Sequence, residues 1–175
     1  LFFPLVGVVA IVVIASLGWN FKKNKDIEKL TQEQDQLFSI RKEVEKVAQS
    51  LEPKEEETKK SADKKAPEKV KAKLSPEVLE KAYTPVVEKL QAYVRANQGT
   101  QPAVEAALLV TQLTQDYNKL DMAADSLKTA LNGLKPSLFL FGVGQTELGN
   151  VYAKSNRCDE AVQAWEQVFN QKEHS

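Results

Sequence analysis

Apolar and charged residues are segregated along this chain, and the segregation divides it into four stretches. From Leu1 to Trp19 no residue is charged, and only Ser16 interrupts a run dominated by Val, Ile, Leu and Phe. Nineteen helical residues extend roughly 28 Å, close to the ~30 Å hydrocarbon thickness of a bilayer. Pro4 stands near the start, where a helix tolerates it best. Trp19 and Phe21 come next, at the position of an interfacial aromatic belt, and Lys22 and Lys23 lie just beyond it. The pattern predicts a membrane-spanning helix over 1–21, with Trp19, Phe21, Lys22 and Lys23 at the membrane interface. A cleaved signal peptide is the competing reading, but its apolar core runs about 7–15 residues and ends in small residues. Gly18-Trp19-Asn20-Phe21 does not fit such a site. Lys22, Lys23 and Lys25 favour the cytoplasmic side of the membrane for the rest of the chain.

Residues 22–51 form a polar, amphipathic helical stretch, free of Gly and Pro from Asn24 to Leu51 and rich in Glu, Lys and Gln. Leu30, Leu37, Val44 and Leu51 fall on one heptad seam, and Ile27, Gln34, Arg41 and Ala48 on the other. The second seam is half polar. The pattern admits two readings: a coiled-coil stalk that makes a homo-oligomer through 24–51, or a single amphipathic helix lying on another protein or on its own domain. Residues 52–75 are almost entirely Lys, Glu, Ala, Pro, Ser and Asp. With little to bury, they read as a charged, flexible linker.

Helical periodicity fills 76–175 and no strand pattern competes, so the fold class is all-α. Ser75-Pro76-Glu77 is a helix start, with Ser as N-cap and Pro at the first helical position. Pro85 predicts a kink or restart, and Asn97-Gln98-Gly99 ends that helix. Pro102 opens the next; Leu120 to Leu131 is a third, closed by Asn132-Gly133. Ser137 to Ala153 and Cys158 to Asn170 complete the set.

These helices repeat. Leu148-Gly149, Tyr152, Ala161 and Trp165 have the spacing of a tetratricopeptide repeat. Gly149 lets two helices of a hairpin approach, Tyr152 fills the space between them, Ala161 is the small residue across from them, and Trp165 is expected to pack against the next repeat. A weaker copy lies 38 residues upstream: Ala123 for Ala161, Leu127 for Trp165, Ala130 for Val168, Thr114 for Tyr152 and Thr111 for Gly149. The extra residues beyond a 34-residue period fall near Leu134-Lys135-Pro136. These positions, Ala123, Leu127, Ala130, Gly149, Tyr152, Ala161 and Trp165, are the expected repeat-packing set of a tetratricopeptide-like antiparallel helical-repeat domain.

Composition narrows the chemistry. Lys+Arg and Asp+Glu number 24 each, so the net charge is zero and no basic excess points to nucleic acid. One Cys and one His, Cys158 and His174, provide neither a disulfide framework nor a metal-ligand set. Gly142 to Gly149 is glycine-rich but lacks the Gly-Lys-Ser/Thr ending of a phosphate loop and comes after no strand. No catalytic residue, cofactor or metal site is predicted, and the chain reads as a scaffold rather than an enzyme.

Three stretches resemble the YfgM family, the ancillary subunits of the bacterial Sec translocon. Leu17-Gly18-Trp19-Asn20-Phe21 resembles the edge of that family's membrane helix. Val86 to Asn97, reading VVEKLQAYVRAN, resembles the helix opening its soluble domain, and Ala103 to Leu131 its first helical pair. The resemblance implies a single-pass protein of the bacterial inner membrane with a periplasmic repeat domain. It also implies a scaffold role at the translocon exit: the membrane helix binds the channel, and the repeats bind a periplasmic chaperone or the emerging chain. If instead the 24–51 helix is the working part, the organisation resembles the coiled-coil and tetratricopeptide proteins of the cell-division and Tol machinery, such as CpoB, an envelope structural role.

Overall fold

The structure is a computed structural model, and it describes residues 28, 30–51 and 74–170. The membrane-spanning helix expected over 1–21, its interface residues Trp19, Phe21, Lys22 and Lys23, and linker positions 52–73 lie outside the described residues. Among the described residues no helix is long and apolar enough to cross a membrane.

Six helices and no strand occur among the described residues: α1 (30–51), α2 (Pro76–Ala96), α3 (Gln101–Gln115), α4 (Leu120–Leu131), α5 (Phe139–Lys154) and α6 (Cys158–Phe169). Their starts reflect local chemistry, with two departures from expectation. Ser75 precedes α2 in extended conformation, but its hydroxyl makes no capping bond; its carbonyl instead accepts from the Val78 and Leu79 amides. The working hydroxyl cap belongs to Thr100, which accepts from the Ala103 amide at 3.3 Å and opens α3. Pro85 does not interrupt α2. Pro85 and Lys81 are both exposed, so the carbonyl that loses its helical partner lies on the solvent side.

α3–α4 and α5–α6 are two copies of one helical hairpin, 38 residues apart. Their second helices begin at Leu120 and Cys158 and end at Leu131 and Phe169. The turns share a left-handed Asn and two backbone hydrogen bonds. Asn118 (φ 61°) and Asn156 (φ 58°) both take the left-handed conformation that Asn tolerates better than most residues. The Lys119 amide donates to the Thr114 carbonyl at 3.0 Å, and the Arg157 amide to that of Tyr152 at 2.9 Å. The Asn118 and Asn156 amides close the same inner turn on Gln115 and Ala153, at 3.2 and 3.1 Å.

Each hairpin packs chiefly on its neighbours: α2 on α3 and α4, α3 on α4 and α5, and α5 on α4 and α6. Val87, Leu90, Val94, Val104, Val110, Leu127 and Val151 form one continuous buried core through this stack. Thr111 and Thr114 enter it without an unmet hydroxyl, because they donate to the Ala107 and Val110 carbonyls of their own helix at 3.0 and 2.8 Å. Gly99 ties the seams together. Its amide donates to the Ala130 carbonyl at 3.0 Å, its φ is +76°, and a Cβ there would stand 2.9 Å from the Asn132 carbonyl oxygen.

α1 lies along α2 and α3. Leu37 and Val44 join the core cluster, with Ile40 and Val47 partly buried beside them. The Tyr93 hydroxyl donates to the Glu33 carbonyl at 2.8 Å, Lys89 pairs with Glu43, and Arg41 pairs with Glu105 at 2.7 Å. The buried stripe differs from the two heptad seams. Glu33, Ile40 and Val47 accompany Leu37 and Val44, whereas Leu30, Gln34 and Arg41 are exposed.

Candidate protein-binding groove

The repeat residues divide between the packed interior and one exception. Ala123, Leu127, Ala130, Ala161 and Tyr152 are all buried in that interior, as is Gly149. The next repeat against which Trp165 is expected to pack lies outside the described residues. Trp165 is half-buried and folds back across its own hairpin onto α5, with its indole N–H directed at the Thr146 carbonyl at 3.3 Å. A Cβ on Gly149 would stand 2.2 Å from Trp165 Nε1, so the glycine is what allows the indole to lie flat on α5. The glycine-rich stretch contains a second crossing point. A Cβ on Gly144 would meet Leu131 Cδ2 at 2.8 Å and Val104 Cγ1 at 3.2 Å, which marks where α5 crosses α3 and α4.

Between α4 and α6, over the face of α5, runs an open groove of about 760 Å³. Phe141, Gln145, Leu148 and Tyr152 form its floor, at steps of four, three and four along α5. Glu160, Gln163, Ala164 and Gln167 make one wall on α6; Lys128, Thr129 and Leu131 make the other on α4, continued by Asn132. Gln98 closes one end. The lining is thus a short apolar floor with a rim of carboxamides. Each carboxamide both donates and accepts, as a peptide unit does, so such a rim can satisfy the backbone of an extended chain whatever its side chains. Gln145 is buried and its amide donates to Gln167 Oε1 at 2.7 Å across the floor.

The opposite end is charged and fixed. The Arg157 guanidinium lies over the Tyr152 ring, 4.4 Å from its centroid, and grips Glu160 with two parallel hydrogen bonds. Its third nitrogen reaches Asp121 on α4 at 3.5 Å. The hydrogen bond from Arg157 holds the Glu160 carboxyl below the usual carboxylate range, and Glu160 in turn raises Arg157. Burial pushes the Tyr152 hydroxyl up, with Arg157 opposing and Glu160 and Asp125 assisting. All three groups therefore keep their ordinary neutral-pH charge states, and the cluster is a clasp between α4, α5 and α6.

Cys158 is exposed, as the first residue of α6, and His174 lies outside the described residues. Among the described residues no group of three or more His, Cys, Asp and Glu is placed to hold a metal ion. Sequence reasoning did not reach the groove. A signal was present: Glu160, Gln163 and Gln167 recur at three- and four-residue steps around Ala164, a polar face on a helix whose packing residues are more conspicuous. Comparison with protein-family models, with curated proteins and with solved structures finds no match to this chain.

Proposed function

We propose that this protein is a non-enzymatic, membrane-tethered scaffold that binds an extended segment of another protein in the groove between α4, α5 and α6. The observation that carries this reading is the carboxamide-rimmed groove built on a helical hairpin that repeats, turn included, after 38 residues. Stacked hairpins of this kind offer extended surfaces whose lining varies while the packing stays fixed. The spacing of Gly149, Tyr152 and Ala161, together with that repetition, supports a tetratricopeptide-like domain. Residues 1–21 supply the membrane anchor. In the fullest form of the proposal the chain resembles the YfgM family in role as well as in sequence. It stands beside the Sec translocon of the bacterial inner membrane, with the repeats in the periplasm, holding a chaperone or an emerging chain. An oligomeric, CpoB-like role through 24–51 has less support, because Leu37 and Val44 of the required seam are already committed to the core of the same chain.

The exposed thiol of Cys158 allows a direct test. A membrane-impermeant maleimide is applied to cells with a permeabilised outer membrane, then to cells with the inner membrane breached. Labelling before the breach locates the repeats outside the cytoplasm. A photocrosslinking residue at Gln163 should then capture the Sec channel, a periplasmic chaperone or a secretory chain under translocation. Labelling only after the breach, as Lys22 and Lys23 favour, removes the translocon role and leaves a cytoplasmic tethered scaffold. No crosslink to any polypeptide from Gln163 or Gln98 would sink the groove as the binding surface.

A further inference from the structure

The Asn132-Gly133 pair that closes α4 has a chemistry that neither the packing nor the groove uses. Asn132 is the one asparagine in the sequence followed by glycine. It is exposed, it directly follows the last residue of α4, and its carboxamide makes no hydrogen bond among the described residues. Gly133 has a φ of +83°, and a Cβ built on it would meet nothing within 4 Å, so no neighbour crowds the main chain here. Its amide makes no backbone hydrogen bond among those of the described turns. Other asparagines are held. The residues after Asn118 and Asn156, Lys119 and Arg157, donate their amides to Thr114 and Tyr152 at 3.0 and 2.9 Å. The Asn97 and Asn150 carboxamides donate to the Tyr93 carbonyl at 2.9 Å and to Glu147 Oε2 at 3.1 Å.

We propose that Asn132 is a self-modifying site, converted without an enzyme to aspartate and isoaspartate by attack of the Gly133 main-chain nitrogen on its side-chain carbonyl carbon. The Gly133 amide gives its proton to water or hydroxide, its nitrogen bonds to Asn132 Cγ, and the Cγ–Nδ2 bond breaks with release of ammonia. One water then opens the five-membered ring, at Cγ to give aspartate or at the main-chain carbonyl carbon to give isoaspartate. Asn132 stands at ψ 114°, so the ring closes after a rotation about its Cα–C bond, which the adjoining glycine can follow. The consequence falls on the groove, and to that extent rests on the scaffold reading. Asn132 and Gly133 line it one helical turn beyond Lys128, a cation that forms no ion pair among the described residues. A carboxylate at 132 engages Lys128 across that turn and replaces a carboxamide of the rim. Isoaspartate also lengthens the main chain by one carbon where the Asn132 carbonyl and Gly133 press on Gly99, beside Gln98 at the closed end of the groove.

The full chain in lipid nanodiscs is held in mildly alkaline buffer for several days. Its peptides are then read by mass spectrometry with electron-transfer fragmentation, which separates isoaspartate from aspartate. The expected result is a gain of one mass unit at Asn132, at least tenfold ahead of any other asparagine, with isoaspartate the larger product. Asn132→Gln, which keeps Gly133 and removes no hydrogen bond, should show none at that position. Survival of Asn132 in the folded protein under conditions that convert it in the urea-unfolded chain overturns the proposal, as does earlier conversion at another asparagine. At the groove, capture by a photocrosslinking residue at Gln163 should fall at least threefold for Asn132→Asp and hold its native level for Asn132→Gln. Equal capture by the two variants overturns the consequence drawn for the groove. Absence of capture from the native chain as well sinks the groove reading alone, because the mass readout does not depend on it.

Discussion

Replacing Gly149 by Ala sets two effects of opposite sign against each other, and the structure decides between them. In a helix interior Ala is more favourable than Gly by about 1 kcal/mol, so propensity alone predicts stabilisation. The added Cβ, however, would lie 2.2, 2.5 and 2.7 Å from Trp165 Nε1, Cδ1 and Cε2, far inside contact distance. Either α6 moves off α5 or the indole leaves its seat, losing its bond to the Thr146 carbonyl. Overpacking of this kind costs about 1–3 kcal/mol, and the lost hydrogen bond about another 1 kcal/mol. The net expectation is a loss of about 1–3 kcal/mol, with Tm falling by roughly 4–8 °C for each kcal/mol in a unit of about this size. Urea unfolding monitored by circular dichroism, with Trp165 emission read in a Trp19→Phe background, measures both halves. Gly142→Ala is the internal control: its Cβ has room, so it should gain about 0.5–1 kcal/mol. Adding Trp165→Leu to Gly149→Ala should restore most of the loss. If Gly149→Ala proves as stable as the native protein with unchanged Trp165 emission, the indole does not rest on α5 and the reasoning fails.

Burial, then the carboxylates of Glu33 and Glu105, push the Tyr93 hydroxyl up to about 12, with Arg41 opposing. A raised folded-state value means the contribution is complete below pH 10 and lost as pH rises toward 12; Tyr93→Phe should flatten alkaline unfolding across that window, read by tyrosinate absorbance alongside circular dichroism. Gly99→Ala should cost at least about 2 kcal/mol in urea unfolding, because a positive φ and a contact with the Asn132 carbonyl both oppose a Cβ. Leu37→Ala should cost about 2–4 kcal/mol with a midpoint independent of protein concentration, since its partners belong to the same chain; a concentration-dependent midpoint would restore the oligomeric stalk.

The four helices α3–α6 were legible because their signals are local: Pro102, Asn132-Gly133 and the Asn- and Asp-containing turn at 155–160 punctuate clear three-and-four periodicity. The repeat offset was legible because Ala123 and Ala161 are small for the same steric reason. What failed depended on contacts between segments distant in sequence. The stripe that α1 buries, through Ile40 and Val47 rather than Gln34 and Arg41, is selected by where α2 and α3 lie, and heptad counting cannot see them. Pro85 reads as a break from its own chemistry, yet packing of Val86, Val87 and Leu90 holds the helix continuous through it. The seat of Trp165 on the bare backbone at Gly149 is likewise a contact that spacing alone does not give. The groove depends on three helices meeting, and only the α6 side of it is written contiguously in the sequence.

The order of the helices also sets a clock. Among α2–α6, α6 packs only against α5, while α3 is held by α2, α4 and α5. Opening of a linear stack starts where the fewest neighbours must be released. Amide protons of α6 should therefore exchange with solvent soonest and those of α3 last, with α5 in between. The Arg157 clasp to Asp121 is then a latch on the fastest-opening helix, and whatever settles in the groove between α4 and α6 would slow that exchange before altering any average position.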